Sequence, residues 1–336
     1  MNKKTYKTLD LFAGIGGIRM GFERAGFETV FANDFDPYCK PTYDLNSNGV
    51  KLTVADIQKL KTADLPSFDI LLGGFPCQPF SIAGYRRGFL DTGRGDLFFT
   101  IVKILRDKKP QAVFLENVKN LKTHDNGRTF KIISDALEDL GYHVKVKVLN
   151  SMEYGNVPQN RERVYIVGFK SKKQYDAFEF PEPVKLSKTV SDLLDDEVDK
   201  RYYYNDHPLY KQLKEMMKSQ GVVYQWRRVY VRENKSGVCP TLTANMGMGG
   251  HNVPLIRDKK GIRKLTPREC ARLQGFPENY KLPNLPDTKL YKQFGNSVTV
   301  SVIERVASQI RKALELKSYV HREPIKRKTE LLRTAA

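Results

Sequence analysis

The 336-residue sequence is poor in sulfur and tryptophan, with four cysteines, Cys39, Cys77, Cys239 and Cys270, and a single Trp226. The cysteines lie far apart with no Cys-x-x-Cys pair, which argues against a zinc site and against a disulfide scaffold. No metal is expected, and a reducing cytoplasm is the expected compartment. No apolar run approaches the ~20 residues of a membrane-spanning helix, and the first residues lead into a strand-like segment, so no secretory signal is expected. Acidic residues are also under-represented: 38 Asp and Glu face 57 Lys and Arg, a net charge of +19. Such an excess favours a polyanionic partner, nucleic acid above all. A membrane surface fits less well, because the basic residues are not confined to one amphipathic helix. The length suits one large domain plus a smaller one.

The chain is organised around Gly73-Gly74-Phe75-Pro76-Cys77-Gln78-Pro79-Phe80-Ser81, which follows the apolar run Phe68 to Leu72. An apolar run ending in Gly-Gly and Pro reads as a buried strand breaking into a tight loop. In an open α/β sheet, ligands bind at that carboxyl end. Cys77 alone fits an inert buried thiol as well as a reactive one. Glu116 repeats its placement, closing the apolar run Gln111 to Leu115. Two such neighbouring strand ends would bring a thiol and a carboxyl into one pocket, where burial could raise the Glu pKa.

Upstream, Tyr6 to Phe12 reads as a strand followed by Ala13-Gly14-Ile15-Gly16-Gly17 and a helix, an arrangement that aims backbone N–H groups at a ligand. Asp34 ends the next strand-like run, where an acid would reach a ribose hydroxyl, and Asp56 follows a third. An adenosine-type cofactor fits this pattern. Phosphate binding fits less, since no Gly-Lys-Ser/Thr ending is present. Arg161 and Arg163 precede another apolar strand and, two apart in extended chain, would point the same way toward one phosphate or carboxylate. The glycine- and arginine-rich stretch Gly84 to Asp96 reads as a lid or a solvated loop.

From about Phe178 the composition shifts. Residues 201–264 hold thirteen Lys and Arg against four Asp and Glu, a net +9. Tyr224 to Arg232 interleaves aromatics with arginine, and Thr241 to His251 is a polar, glycine-rich loop. These are groups that read guanine, adenine and phosphate, although a small twisted β-domain shares much of the composition. Thr266 to Gly275 carries the signals of a capped helix, and a long helix is expected over about 298–316. The basic tail 321–336 is expected to be loose.

Taken together, these stretches resemble the cytosine-C5 DNA methyltransferases across nearly the whole chain. The carriers are Asp10-Leu11-Phe12-Ala13-Gly14-x-Gly16-Gly17, Gly74-Phe75-Pro76-Cys77-Gln78, Glu116-Asn117-Val118, Gln159-x-Arg161-x-Arg163, Arg263-x-Leu265 through Glu269 to Gln274, and Gly295-Asn296-Ser297-Val298. The resemblance implies methyl transfer from S-adenosyl-L-methionine to a flipped-out cytosine, leaving S-adenosyl-L-homocysteine. It assigns Cys77 as nucleophile, Glu116 as the acid at the base, and Arg163 with Arg161 as holders of the base. The implied cofactor residues are Phe12, Gly14, Gly16, Asp34, Phe35, Asp56, Ile57, Gly74, Pro76, Leu97, Asn296, Ser297 and Val298. Many relatives carry Glu where this chain has Asp34. For DNA the resemblance and the composition together point to Gln78, Ser81, Arg86, Arg87, Arg94, Gln225, Arg227, Arg228, Arg232, Thr241, Leu242 and Asn245.

The implied fold is an α/β, Rossmann-like methyltransferase domain with a second, smaller β-rich target recognition domain. The expected divisions are 1–178 for catalysis and cofactor, 179–264 for target recognition, 265–320 returning to the catalytic domain, and 321–336 as tail. A monomer acting on double-stranded DNA, paired in function with a restriction endonuclease, is expected. The rivals are a tRNA cytosine-C5 methyltransferase and a silent DNA-binding module. The first lacks the Cys-Phe-Thr signature associated with the RNA-acting branch. The second does not account for the presence of Cys77, Glu116, Arg161 and Arg163 together.

Overall fold

A computed structural model describes residues 4–76, 97–227, 230–234, 236–247 and 253–316. The first half alternates strand and helix: β1 (Lys7–Leu11), α1 (Gly17–Arg24), β2 (Glu28–Asp34), α2 (Cys39–Leu45), β3 (Leu52–Val54), β4 (Ile70–Gly73), α3 (Leu97–Lys108), β5 (Ala112–Val118) and α4 (Arg128–Asp139). β6 (His143–Asn150), α5 (Ser151–Tyr154), β7 (Gln159–Asn160), β8 (Glu162–Phe169) and α6 (Lys172–Ala177) complete the large unit's first pass. Every residue of β4 and all but the last of β5 are buried, as expected for parallel strands covered on both faces.

The sheet runs β3-β2-β1-β4-β5-β8-β6. The pairs from β3 through β5 are parallel, whereas β8 runs antiparallel to both β5 and β6. Strand order reverses between β1 and β4, which opens a crevice at their carboxyl ends. One face is covered by α3 and α4 against Leu9, Leu11, Leu71 and Val113. The other is closed by the C-terminal helix Val300–Glu315, whose Val302, Ile303, Val306 and Ile310 share a core with Phe22 and Phe114. Its approach to α1 is close enough that a Cβ on Gly21 would lie 2.5 Å from the Ile303 side chain.

The basic segment contains α7 (Tyr210–Met216), β9 (Tyr224–Arg227), β10 (Tyr230–Glu233), β11 (Cys239–Pro240), β12 (Val253–Arg257) and β13 (Ile262–Lys264). A second, antiparallel sheet is ordered β10-β9-β12-β13. It packs Tyr224, Leu255 and Ile262 on Leu213 and Met217 around α7, a short helix for which the sequence pattern gave no period. β11 leaves this sheet and pairs parallel with β7. The chain then returns through α8 (Pro267–Leu273), α9 (Asp287–Asn296) and α10 (Val300–Glu315).

Candidate active site

The carboxyl ends of β1 to β5 bring Phe12, Gly14, Gly16, Asp34, Asp56, Gly74 and Glu116 to one edge of the sheet. After β1, Phe12, Gly14 and Gly16 have φ of 55°, 53° and 83°, a left-handed turn that starts α1. Among the described residues, a Cβ on Gly14 would meet nothing within 4 Å, so that side of the turn is open to a ligand. The Gly14 N–H donates to Asp34 Oδ2 at 2.7 Å, and Asp36 N–H donates to Oδ1 at 2.8 Å. A carboxylate has about four acceptor positions, so Asp34 keeps capacity for a hydroxyl. Burial nevertheless raises its pKa above the ordinary range, against the backbone donors that lower it.

Asp56 accepts Gln58 N–H at 3.0 Å through one oxygen. Ile57 beside it is buried in the core. Phe35 is 75% exposed and Val54 is also exposed, so apolar surface flanks both acids. Two carboxylates with spare acceptor capacity, an apolar platform and an open glycine turn fit a purine nucleoside. Beneath the turn, Asp10 is fully buried near Arg19, and burial pushes its pKa up to about 8 against the pull of that arginine. From the far end of the chain, Asn296 is exposed, and Ser297 and Val298 pack on the glycine turn: a Cβ on Gly17 would lie 2.7 Å from Ser297 Oγ.

Gly74 and Pro76 continue β4, and Cys77, Gln78, Ser81, Arg86, Arg87 and Arg94 lie outside the described residues. The described residues just before Cys77 are held by β5. Asn117 Nδ2 donates to Phe75 O at 2.9 Å, and a Cβ on Gly74 would lie 3.5 Å from Glu116 Oε2. Leu97, where the chain is described again, opens α3 half-buried. Glu116 itself is buried, with Arg163 Nε 3.2 Å from its Oε1. Burial raises the Glu116 pKa, while Arg163 first and Arg161 second pull it down. The pair can hold a proton in a buried site and keep its carboxyl oriented.

Arg161 departs from expectation. It lies between β7 and β8, where the strand is interrupted, so two-residue alternation does not set its direction. It is buried, donating to Leu242 O at 2.8 Å, to Gly295 O at 3.2 Å and to Ser297 O. Burial, with Arg163 nearby, lowers its pKa to about 9. Arg161 and Arg163 therefore do not reach for one group: the first holds backbone carbonyls, the second holds Glu116.

In the basic segment, Arg232 and Asn245 are exposed, as is Tyr230 two residues before Arg232, whereas Gln225 and Leu242 are buried. The latter two side chains thus hold their sheet and loop together rather than line the surface. Thr241 Oγ1 donates to Asn160 O at 2.7 Å. Arg227 closes β9, its backbone paired with Tyr230, and Arg228 lies outside the described residues.

Sequence reasoning missed the buried polar junction behind this loop. Gln159 accepts Leu242 N–H at 3.1 Å and donates to Leu273 O at 2.6 Å. Gln274 donates to Phe294 O at 2.8 Å and accepts the Thr299 hydroxyl at 3.1 Å. The signal was present, since both glutamines sit inside recognised motifs, but their partners are distant in sequence.

The sheet order, glycine turn and edge of acids define a Rossmann-like enzyme whose crevice suits a nucleoside cofactor. The Entamoeba histolytica methyltransferase EhMeth has the same fold, with a TM-score of 0.72 at 19% identity over 93% of this chain and all of that one. The model of the C-5 cytosine-specific DNA methylases matches residues 6–312, and the chain belongs to that family. Type II methyltransferase M.Bsp6I of Bacillus sp. (strain RFL6) is 57% identical over 309 residues, 90% of this chain and 98% of that one. Type II methyltransferase M.HaeII of Haemophilus aegyptius is 45% identical over 318 residues, 93% and 95% of the two chains. The activity is thus DNA cytosine-5 methylation, which in methyltransferases of this kind depends on S-adenosylmethionine. No helix among the described residues is long and apolar enough to cross a membrane, and no cluster of metal-ligating side chains occurs among them.

Proposed function

We propose that the protein is the modification enzyme of a restriction-modification system, methylating one cytosine within a short duplex sequence after flipping it from the stack. The observation that carries the chemistry is the buried Glu116–Arg163 pair beside Gly74, three residues before Cys77. That its relatives are Type II methyltransferases supports pairing with a restriction endonuclease.

Cytosine C5 is too weak a nucleophile to take a methyl group unaided. The Cys77 thiolate adds to C6 while Glu116 gives its proton to N3, so the ring becomes an enamine nucleophilic at C5. Bound S-adenosylmethionine supplies the electrophilic methyl. Loss of the C5 proton to a base then lets the C6–S bond break and the N3 proton return to Glu116. Asp34, Phe35 and Asp56 hold the nucleoside, and Asn296 and Ser297 close the glycine turn from above. Arg163 orients Glu116. Residues 179–264 read the target as a monomer's recognition domain, with Arg232 and Asn245 as surface contacts.

Bisulfite sequencing of plasmid methylated in vitro by the purified protein tests this. Modified cytosines should share one short motif, and Cys77→Ala should leave that motif bare while still binding the duplex. Modification of tRNA but not DNA, or an active Cys77→Ala protein, would overturn the proposal.

A further inference from the structure

The Arg161 guanidinium spans two functional segments. On one side it holds Leu242 O, in the loop that carries Thr241 and Asn245; on the other it holds Gly295 O and Ser297 O, in the segment assigned to the cofactor. A second observation brings the same segments together independently. A Cβ on Gly295 would lie 2.2 Å from Thr243 C and O and 2.5 Å from Ala244 N, so the two backbones touch there with no room for a side chain. Gly247 repeats this one turn on, where a Cβ would lie 2.5 Å from the Tyr291 ring. The loop from Thr241 to Gly247 therefore rests directly on the end of α9.

We propose that this junction of Arg161 and Gly295 couples engagement of target DNA to binding of the cofactor, with Arg161 as a positioning residue. The inference rests on the functional reading above. A planar fork can satisfy Leu242 O and the 295–297 carbonyls together in only a narrow range of relative placements. The site is buried, so a charge that loses its acceptors is costly there. Movement of the loop on meeting DNA must then either carry the cofactor segment with it or break those bonds. By linkage, whatever DNA does to cofactor affinity, the cofactor does to DNA affinity.

The test measures S-adenosylhomocysteine binding by calorimetry, with and without a duplex carrying the motif located by bisulfite sequencing. For the unaltered protein the duplex should tighten binding about tenfold or more, within the usual range of such couplings. Arg161→Lys keeps the charge but not the fork, and should bring that ratio to within about twofold of one. Each ligand alone should still bind within about fivefold of the unaltered protein, which a merely structural loss would not allow. Gly295→Ala, which pushes Thr243 and Ala244 off the end of α9 while leaving the Arg161 fork in the chain, should act alike and carries the test if Arg161→Lys does not fold. An unaltered protein that methylates a motif but shows no coupling overturns this proposal alone, as does full coupling in a folded variant. A protein that methylates no DNA overturns the functional reading and this inference with it.

Discussion

At the scale of single residues, the decisive group is Glu116, whose pKa is raised by burial and held back by Arg163. The proposed chemistry uses the protonated acid, so activity should fall as pH rises through the Glu116 pKa. Arg163 favours the carboxylate, and its removal therefore raises that pKa further. Arg163→Met should shift the alkaline limb of kcat to higher pH while lowering kcat itself, because the carboxyl is no longer oriented. Glu116→Gln should abolish that limb and cost on the order of 10²- to 10⁴-fold in kcat, the usual worth of a positioned general acid. Single-turnover methylation across pH checks both; an alkaline limb that moves downward in Arg163→Met would contradict the assignment. Glu116 was legible in the sequence because an acid that closes a fully apolar run has its position fixed by the strand. The direction of Arg161 was not, because it falls in the gap between two strands, where contacts 81 to 136 residues away decide where a side chain points.

At the scale of elements, the start of α8 shows how a local signal and a distant one combine. Thr266 and Glu269 form the capping box that their spacing announced, with Glu269 N–H donating to Thr266 Oγ1 at 3.1 Å and Thr266 N–H to Glu269 Oε2 at 2.7 Å. The same carboxylate, fully buried, takes both arms of the Arg263 fork at 2.9 and 2.8 Å and the Asp195 N–H at 2.9 Å. It thereby ties β13 of the small sheet and the 179–202 connection to one helix end. Losing a cap alone costs about 1 kcal/mol. Glu269→Ala also strands the Arg263 charge in the interior, which costs about 3–5 kcal/mol. Urea unfolding of the variant should therefore show a loss nearer the second figure; a loss of cap size would mean that Asp258, 2.9 Å from Arg263 Nε, suffices to hold that charge. The capping box could be read from four consecutive residues. The ion pair could not, because nothing in the composition of Arg263-x-Leu265 distinguishes a buried guanidinium from a DNA contact. The parallel strands were equally legible from their apolar runs, while α7, too short for a period to emerge, was not.

At the scale of the whole molecule, the net charge of +19 has to be divided between cations spent on the protein's own groups and those left for DNA. Arg161, Arg163 and Arg263 all point inward to carbonyls or carboxylates, and Arg19 is buried against Glu23 and the Tyr43 ring. These add to the charge without being available for phosphates. Arg232 differs, lying exposed on an edge strand of the second sheet. Each phosphate neutralised contributes about −0.9 to the slope of log K against log salt on duplex DNA. With roughly six to ten such contacts, affinity should fall about 10³- to 10⁵-fold between about 50 and 200 mM salt. Fluorescence anisotropy with a motif-bearing duplex and a scrambled one separates the roles. If Arg232 meets a phosphate, Arg232→Ala should reduce the slope by about one on both duplexes and weaken them alike. If it reads a base, the slope should stay and the motif duplex alone should lose about 1–3 kcal/mol. An affinity nearly independent of salt would show that the basic excess serves folding rather than DNA, and the assignment of 201–264 to the target would fall with it.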